Sequence, residues 1–220
     1  MVRTCLLLVV GLLLLPLPVG ATQIVGFGQL GSTNTFIATN NGDGTTDLAV
    51  TTGVSITNII SGATDPNALL TFEAESTTAA SLLGGSIITQ SFEGTFSLTN
   101  AAGTFEYLGG TFGGALMLGG NGGTGSLFSA NTALLSPLVL TTDLPVFLQN
   151  PESFSLSLSN VNPPFSIGAD GSIASFTASF TGTADATVTA APVPEPGSLM
   201  LLGSGLLGLA SAARKRWRRA

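Results

Sequence analysis

Apolar residues recur at every second position through much of the chain. Phe92, Gly94, Phe96 and Leu98 alternate with Glu93, Thr95 and Ser97, and Phe154, Leu156 and Leu158 alternate with Ser155, Ser157 and Ser159. Phe176, Ala178 and Phe180 alternate with Thr177, Ser179 and Thr181, and the pattern runs on through Ala184, Ala186 and Val188. A period of two puts apolar side chains on one face of a β-strand and small hydroxyls on the other. The breaks are turn formers: Asn41-Gly42-Asp43-Gly44, Asp65-Pro66-Asn67 and Asn121-Gly122-Gly123. Asp43-Gly44, between the stretches 36–39 and 47–50, predicts a hairpin. Short strands spaced by such turns predict an all-β ectodomain, an antiparallel β-sandwich or jelly-roll-like fold. Two segments depart from the pattern. Residues 74–83 predict a short helix, and the glycine-rich stretch 109–125 predicts a loop with one strand, 115–118, inside it.

The two ends of the chain read differently from its middle. Arg3 is followed by an apolar run from Cys5 to Leu15, the helix breakers Pro16 and Pro18, and Val19-Gly20-Ala21. A charged start, a short apolar run and a small-residue exit make a secretory signal peptide, with cleavage expected between Ala21 and Thr22. Cys5 stands at the start of the apolar run, where a lipoprotein cysteine would have to follow its end. At the other end, Pro194-Glu195-Pro196 precedes an uncharged stretch, 197–213, and then Arg214, Lys215, Arg216, Trp217, Arg218 and Arg219. As a helix that stretch covers about 25 Å, a short single transmembrane span, and the basic tail holds its end on the cytoplasmic side. The predicted organisation is a signal peptide over 1–21, an extracytoplasmic domain over 22–190 and a membrane-directed terminus over 191–220.

Charge sharpens this division. The six Lys and Arg residues are Arg3 and the five of the terminal tail, there is no His, and Cys5 is the lone cysteine. The twelve Asp and Glu residues all lie between Asp43 and Glu195, so the processed chain carries about −11 to −12. The ectodomain therefore has no residue for a His or Cys zinc site, a Ser-His-Asp or Cys-His nucleophile or a Lys Schiff base, and none to neutralise a nucleic-acid backbone. No cofactor is expected. With no cysteine after Ala21, stability must come from packing and hydrogen bonding.

Four patterns in the ectodomain carry candidate chemistry. Gly26-Phe27-Gly28-Gln29-Leu30-Gly31 matches the dinucleotide fingerprint on paper, but a strand rather than a helix follows it, so strand and turn glycines are the better reading. Glu73 and Glu75 would project from one side of a strand roughly 7 Å apart, within the range of a glycosidase carboxylate pair; a solvated face is the alternative. Asn41, Asp43 and Asp47 offer oxygen ligands of the kind calcium takes, without the spacing of an EF-hand loop. No resident metal is expected, and Asp43 and Asp47 are where calcium would bind. Thirteen Phe and Tyr107 are the ectodomain's only aromatic residues, and most of the Phe occupy core-facing positions, which leaves little for sugar stacking.

Pro194-Glu195-Pro196, the glycine-containing apolar stretch and the arginine cluster stand in that order over about the last 28 residues. In this they resemble the PEP-CTERM sorting signal of exported proteins in Gram-negative bacteria that make extracellular polysaccharide. The resemblance implies handling by an exosortase, a membrane cysteine peptidase that processes its substrates near the motif. It also implies passage through the general secretion machinery and the inner membrane to the cell surface or the medium. The expectation is a non-enzymatic surface or matrix protein linked to exopolysaccharide or biofilm; the alternatives are a carbohydrate-binding or adhesin module and a weak acidic hydrolase.

Overall fold

In the computed structural model, which describes residues 21–60, 64–132 and 137–190, the alternating stretches form eleven β-strands and no α-helix. Along the chain they are β1 (Thr22–Gln29), β2 (Phe36–Asn40), β3 (Thr46–Ile59), β4 (Asp65–Ser76), β5 (Ser81–Leu83) and β6 (Ile87–Thr99). They continue as β7 (Glu106–Gly120), β8 (Ser126–Asn131), β9 (Leu138–Thr141), β10 (Val146–Asn162) and β11 (Phe176–Ala190). The expected hairpin is present: β2 and β3 pair from Asn40↔Thr46 to Ile37↔Ala49 around residues 41–45.

The strands close into one barrel rather than two packed sheets. Neighbouring staves pair antiparallel around the ring, β6 pairs with β7, and β11 returns to β1 with Thr22 opposite Ala186 and Gly28 opposite Thr181. The ring has eight staves, three of them built from two strands in succession. β2 continues β1 between β11 and β3, β5 continues β4 along β6, and β9 continues β8 along β7. This is an up-and-down barrel, whose closure leaves few open edges. The expectation of a sandwich or jelly roll is corrected here. Period-two alternation is the same in both architectures, and what separates them is the pairing of the first strand with the last. The expected transmembrane helix, 197–213, lies outside the described residues, among which no helix is long and apolar enough to cross a membrane.

Eight staves enclose a space about wide enough for side chains to fill, and phenylalanine fills this one. Eleven of the thirteen Phe are buried. Phe72 lies 5.2 Å from Phe128, 5.7 Å from Phe112, 5.8 Å from Phe36 and 6.3 Å from Phe154, centre to centre. Phe154 in turn stacks on Phe96 at 3.9 Å. Such ring pairs add about 0.5–1.5 kcal/mol each beyond the area they bury. Apolar inside and hydroxyl-rich outside is the reverse of a barrel that spans a lipid bilayer.

Both segments that depart from simple alternation turn out to be strand. Residues 74–83 form the end of β4, a bend and β5, not a helix. Phe72, Ala74 and Ser76 are buried while Glu73 and Glu75 are exposed, so the period stays at two and the local alanines are outweighed. Residues 109–125 are mostly β7, not a loop. Two of the glycines there, Gly110 and Gly119, answer to close packing. A Cβ on Gly110 would sit 2.9 Å from the Phe96 ring, and one on Gly119 would sit 2.5 Å from Phe165. Rings large enough to fill the barrel leave no room for side chains where they meet the wall.

The end of the barrel away from Thr22 and Ala190 is sealed by residues 163–175. Phe165 and Ile173 are fully buried there. Buried polar groups clamp the segment: Ile173 N–H donates to Gln90 Oε1 (2.9 Å), and Thr46 Oγ1 donates to the Ile173 carbonyl (2.7 Å). Gln90 Nε2 also donates to the Thr78 carbonyl (2.8 Å), which leaves the Gln90 amide satisfied at both ends.

Candidate functional site

On β3, β4 and β6 the inward residues Leu48, Phe72 and Phe92 commit their neighbours to the outer face. Register then brings the neighbours together. Asp47 stands opposite Glu75, and Glu75 opposite Glu93, so three carboxylates form one row across three strands. Glu73 stands opposite Ala49 on one side and Thr95 on the other, on the same face. These side chains rim a shallow depression of about 490 Å³ in which Ala49, Ala74 and Gly94 are the small residues. A Cβ on Gly94 would run into the Glu73 carbonyl and Ala74, so the close approach of β4 and β6 there requires glycine.

Directly opposed side chains are about 4.5–5.5 Å apart at Cβ, and the ectodomain has no Lys, Arg or His to place among these four carboxylates. All four are exposed. The depression can accept hydrogen bonds from hydroxyl or ammonium groups and attracts cations by its field. Among the described residues, no group of three or more His, Cys, Asp and Glu is arranged to hold a metal ion.

The structure divides the sequence candidates differently from their order in the chain. Glu73, Glu75 and Asp47 come together at the depression, joined by Glu93. That residue was hidden in the sequence, because only the β4–β6 register reveals what it faces. Asp43, by contrast, sits in the β2–β3 turn, where its Oδ1 accepts Thr45 Oγ1 (2.7 Å) and Thr45 N–H (3.0 Å). Those bonds hold its carboxyl below the usual carboxylate range. The Gly26–Gly31 match is strand β1 followed by a turn and β2, with no helix behind it.

A second polar centre joins that turn to the sealing segment. Asp170 accepts hydrogen bonds from Asn40 Nδ2 (2.8 Å), Ser172 Oγ (2.7 Å) and Gly44 N–H (3.0 Å). The bonds from Asn40 and Ser172 push its carboxyl far below the usual value. Every oxygen contact here is made by the fold itself, so the centre fastens the barrel end.

At the opposite end, Tyr107 Oη donates to Asp65 Oδ2 (2.8 Å), which raises the phenol above its ordinary range, and its ring meets Phe105 edge-on at 5.2 Å. Glu106 N–H donates to Asp143 Oδ2 (2.7 Å), and Glu106 Oε1 accepts Thr141 Oγ1 (2.8 Å). Between β9 and β10 the Leu140 N–H finds no strand partner and donates instead to the carboxylate of Glu152 (3.3 Å). Glu152 is buried, and burial raises its carboxyl.

Of the terminal candidates, Ala21 is exposed and Thr22 opens β1. Pro194, Glu195 and Pro196, together with Arg214, Lys215, Arg216, Arg218 and Arg219, lie outside the described residues. No curated protein and no solved structure matches this chain. A family model does match it, over residues 192–216, beginning two residues after the end of β11. Those residues are a PEP-CTERM protein-sorting motif, and they mark this chain as an exported protein sorted to the cell surface through an exosortase.

Proposed function

We propose that the barrel is the cargo of this sorting route: a non-enzymatic surface or matrix protein associated with extracellular polysaccharide or biofilm. The signal peptide is removed between Ala21 and Thr22. The 197–213 stretch then holds the chain in the inner membrane, with Arg214 to Arg219 on the cytoplasmic side. The exosortase acts at Pro194-Glu195-Pro196, where the prolines keep the backbone extended and free of helical hydrogen bonds, and the barrel passes to the surface or the medium.

The observation that carries this reading is the placement of the barrel between the two signals. β1 begins at Thr22 and β11 ends at Ala190, two residues before the motif, so both processing events leave every strand intact. An interior occupied by phenylalanine and an outer face of Ser, Thr and carboxylates support a scaffold whose business is conducted on its surface. The test is the intact mass of the protein from cells and culture fluid. A species beginning at Thr22 and ending near Pro194–Gly197 supports the route, and mass beyond the peptide indicates glycosylation or attachment. A species that keeps Arg214–Arg219 and stays in the inner membrane reduces the tail to an ordinary anchor and removes the matrix reading.

The depression over Gly94 favours a second reading, a carbohydrate-binding module. Carboxylates are good acceptors for sugar hydroxyls, and small residues between them leave room for a ring. Glycan binding by the wild type that is lost in Glu75→Gln would establish it; equal binding by both would move any sugar contact elsewhere. The hydrolase alternative would place the chemistry on Glu73 and Glu75, and turnover unchanged in Glu73→Gln and Glu75→Gln would remove it.

A further inference from the structure

Thirteen phenylalanines populate the ectodomain; eleven are buried and Phe105 is half-buried, which leaves Phe147 as the exposed one, at 56 %. Its position is not arbitrary. Ser153 of β10 hydrogen-bonds Asp185 of β11 (3.1 Å), and Ser155 hydrogen-bonds Thr183 (3.0 Å), which fixes how the two strands lie alongside each other. From the Ser153–Asp185 contact, Phe147 lies six residues along β10 and Ala190 five residues along β11. Counted along the strands, Phe147 therefore lies at the same end of the barrel as the close of β11. It closes the β9–β10 connection, Leu144-Pro145-Val146-Phe147, in which Leu144 packs against the core, Val146 is half-buried, and Pro145 and Phe147 are exposed.

Six residues separate Ala190 from the apolar stretch at Gly197, and fully extended they reach no more than about 20 Å. On the reading that 197–213 enters the membrane, that reach bounds how far the close of β11 can lie from the bilayer. We propose that the tip formed by residues 144–147 is a membrane contact, with Phe147 at the headgroup level of a zwitterionic lipid surface while the tail is inserted. This rests on the reading that 197–213 enters the membrane. Aromatic side chains favour that depth, being half apolar in surroundings that are half wet. The carboxylates at the same end, Asp65, Glu106 and Asp143, have no basic residue among them and suit the ammonium groups of such headgroups better than an anionic surface.

The test uses the full-length chain with its tail, carrying Trp217→Phe so that a single introduced tryptophan reports. Phe147→Trp places the reporter at the tip. Leu83→Trp, also exposed, places it at the sealed end as a control. Each protein is reconstituted into phosphatidylcholine–phosphatidylethanolamine vesicles with brominated acyl chains, and tail insertion is read separately by protection of the basic tail from external protease. Loss and blue shift of emission at position 147, with emission at 83 unchanged, is the expected result. With the tail inserted, unquenched emission at 147 overturns the contact, and quenching at both positions overturns it in favour of a barrel lying on its side. A tail that fails to insert removes the reading beneath the proposal, and the contact falls with it.

Discussion

The ring of Phe165 lies against the backbone of Gly119, so close that a Cβ on Gly119 would meet three of its carbons at 2.5 to 3.0 Å. Phe165 is also edge-on to Phe176 at 5.6 Å and is the largest side chain of the segment that seals this end. Gly119→Ala should therefore destabilise the barrel by about 1–3 kcal/mol, the usual range for forcing extra carbon into a filled core. Urea unfolding measures it. Combining Gly119→Ala with Phe165→Leu should cost less than the two changes taken separately, because the smaller side chain relieves the collision. Strict additivity would mean that the two residues do not share the contact.

The row Asp47–Glu75–Glu93 puts like charges directly opposite one another on neighbouring strands, an arrangement that costs rather than stabilises. Glu75 is in the middle and feels both neighbours. Replacing it with glutamine should raise stability by about 0.2–1 kcal/mol, a Tm gain of up to about four degrees for a domain of this size. The gain should shrink as sodium chloride is added, since exposed charges are screened within about 3 Å at molar salt. A Glu75→Gln protein with an unchanged midpoint at low salt would show that the row carries no strain. A large loss of stability would show that Glu75 has a partner.

How much of this was legible in the sequence depends on which residues are asked. The strands around Phe92–Leu98, Phe154–Leu158 and Phe176–Phe180 stood in plain alternation, as did the β2–β3 hairpin at Asp43-Gly44, because local pattern alone decides both. Closure was not legible. Whether Thr22 meets Ala186 is a matter of long-range register, and no local pattern encodes it. The β7 glycines misled for a related reason: Gly119 looks like flexibility until Phe165, more than forty residues away, is known to rest on it. Glu73, Glu75 and Asp47 were each visible as carboxylates, but their meeting with Glu93 needs three strands in register. The sorting motif was legible throughout, being a linear signal read as a linear signal.

Acid should loosen the sealed end. The folded state holds Asp170 and Asp43 below the ordinary aspartate value, so it binds fewer protons there than the unfolded chain. The stability they contribute is present above about pH 4 and drains away as the pH falls through and below it. Asp170→Asn should lower the thermal midpoint at pH 7 and flatten its decline between pH 5 and 2, bringing the two proteins together at the acid end. Hydrogen exchange adds a local reading, because the amides of Gly44 and Ser172 donate to this carboxylate. Parallel midpoint curves for wild type and variant would deny Asp170 this part.

Glu152 should behave with the opposite sign. Burial raises its carboxyl, so over the pH range above the ordinary glutamate value, about 4.3, the folded state keeps a proton that the unfolded chain has released. Its contribution to stability is therefore fully present in acid and is lost as the pH rises through the folded-state value. The carboxylate is nonetheless the acceptor for Leu140 N–H, where β9 and β10 fail to pair, so the position needs an oxygen, while burial outweighs what that bond offers the charge on it. Glutamine supplies the oxygen alone. Glu152→Gln should match wild type near pH 4 and exceed it in thermal midpoint at pH 8, whereas Glu152→Leu, with no acceptor, should fall below wild type at pH 4, where the native carboxyl is neutral. If Gln and Leu behave alike at both pH values, the bond to Leu140 contributes nothing and the gap between β9 and β10 is held closed by packing.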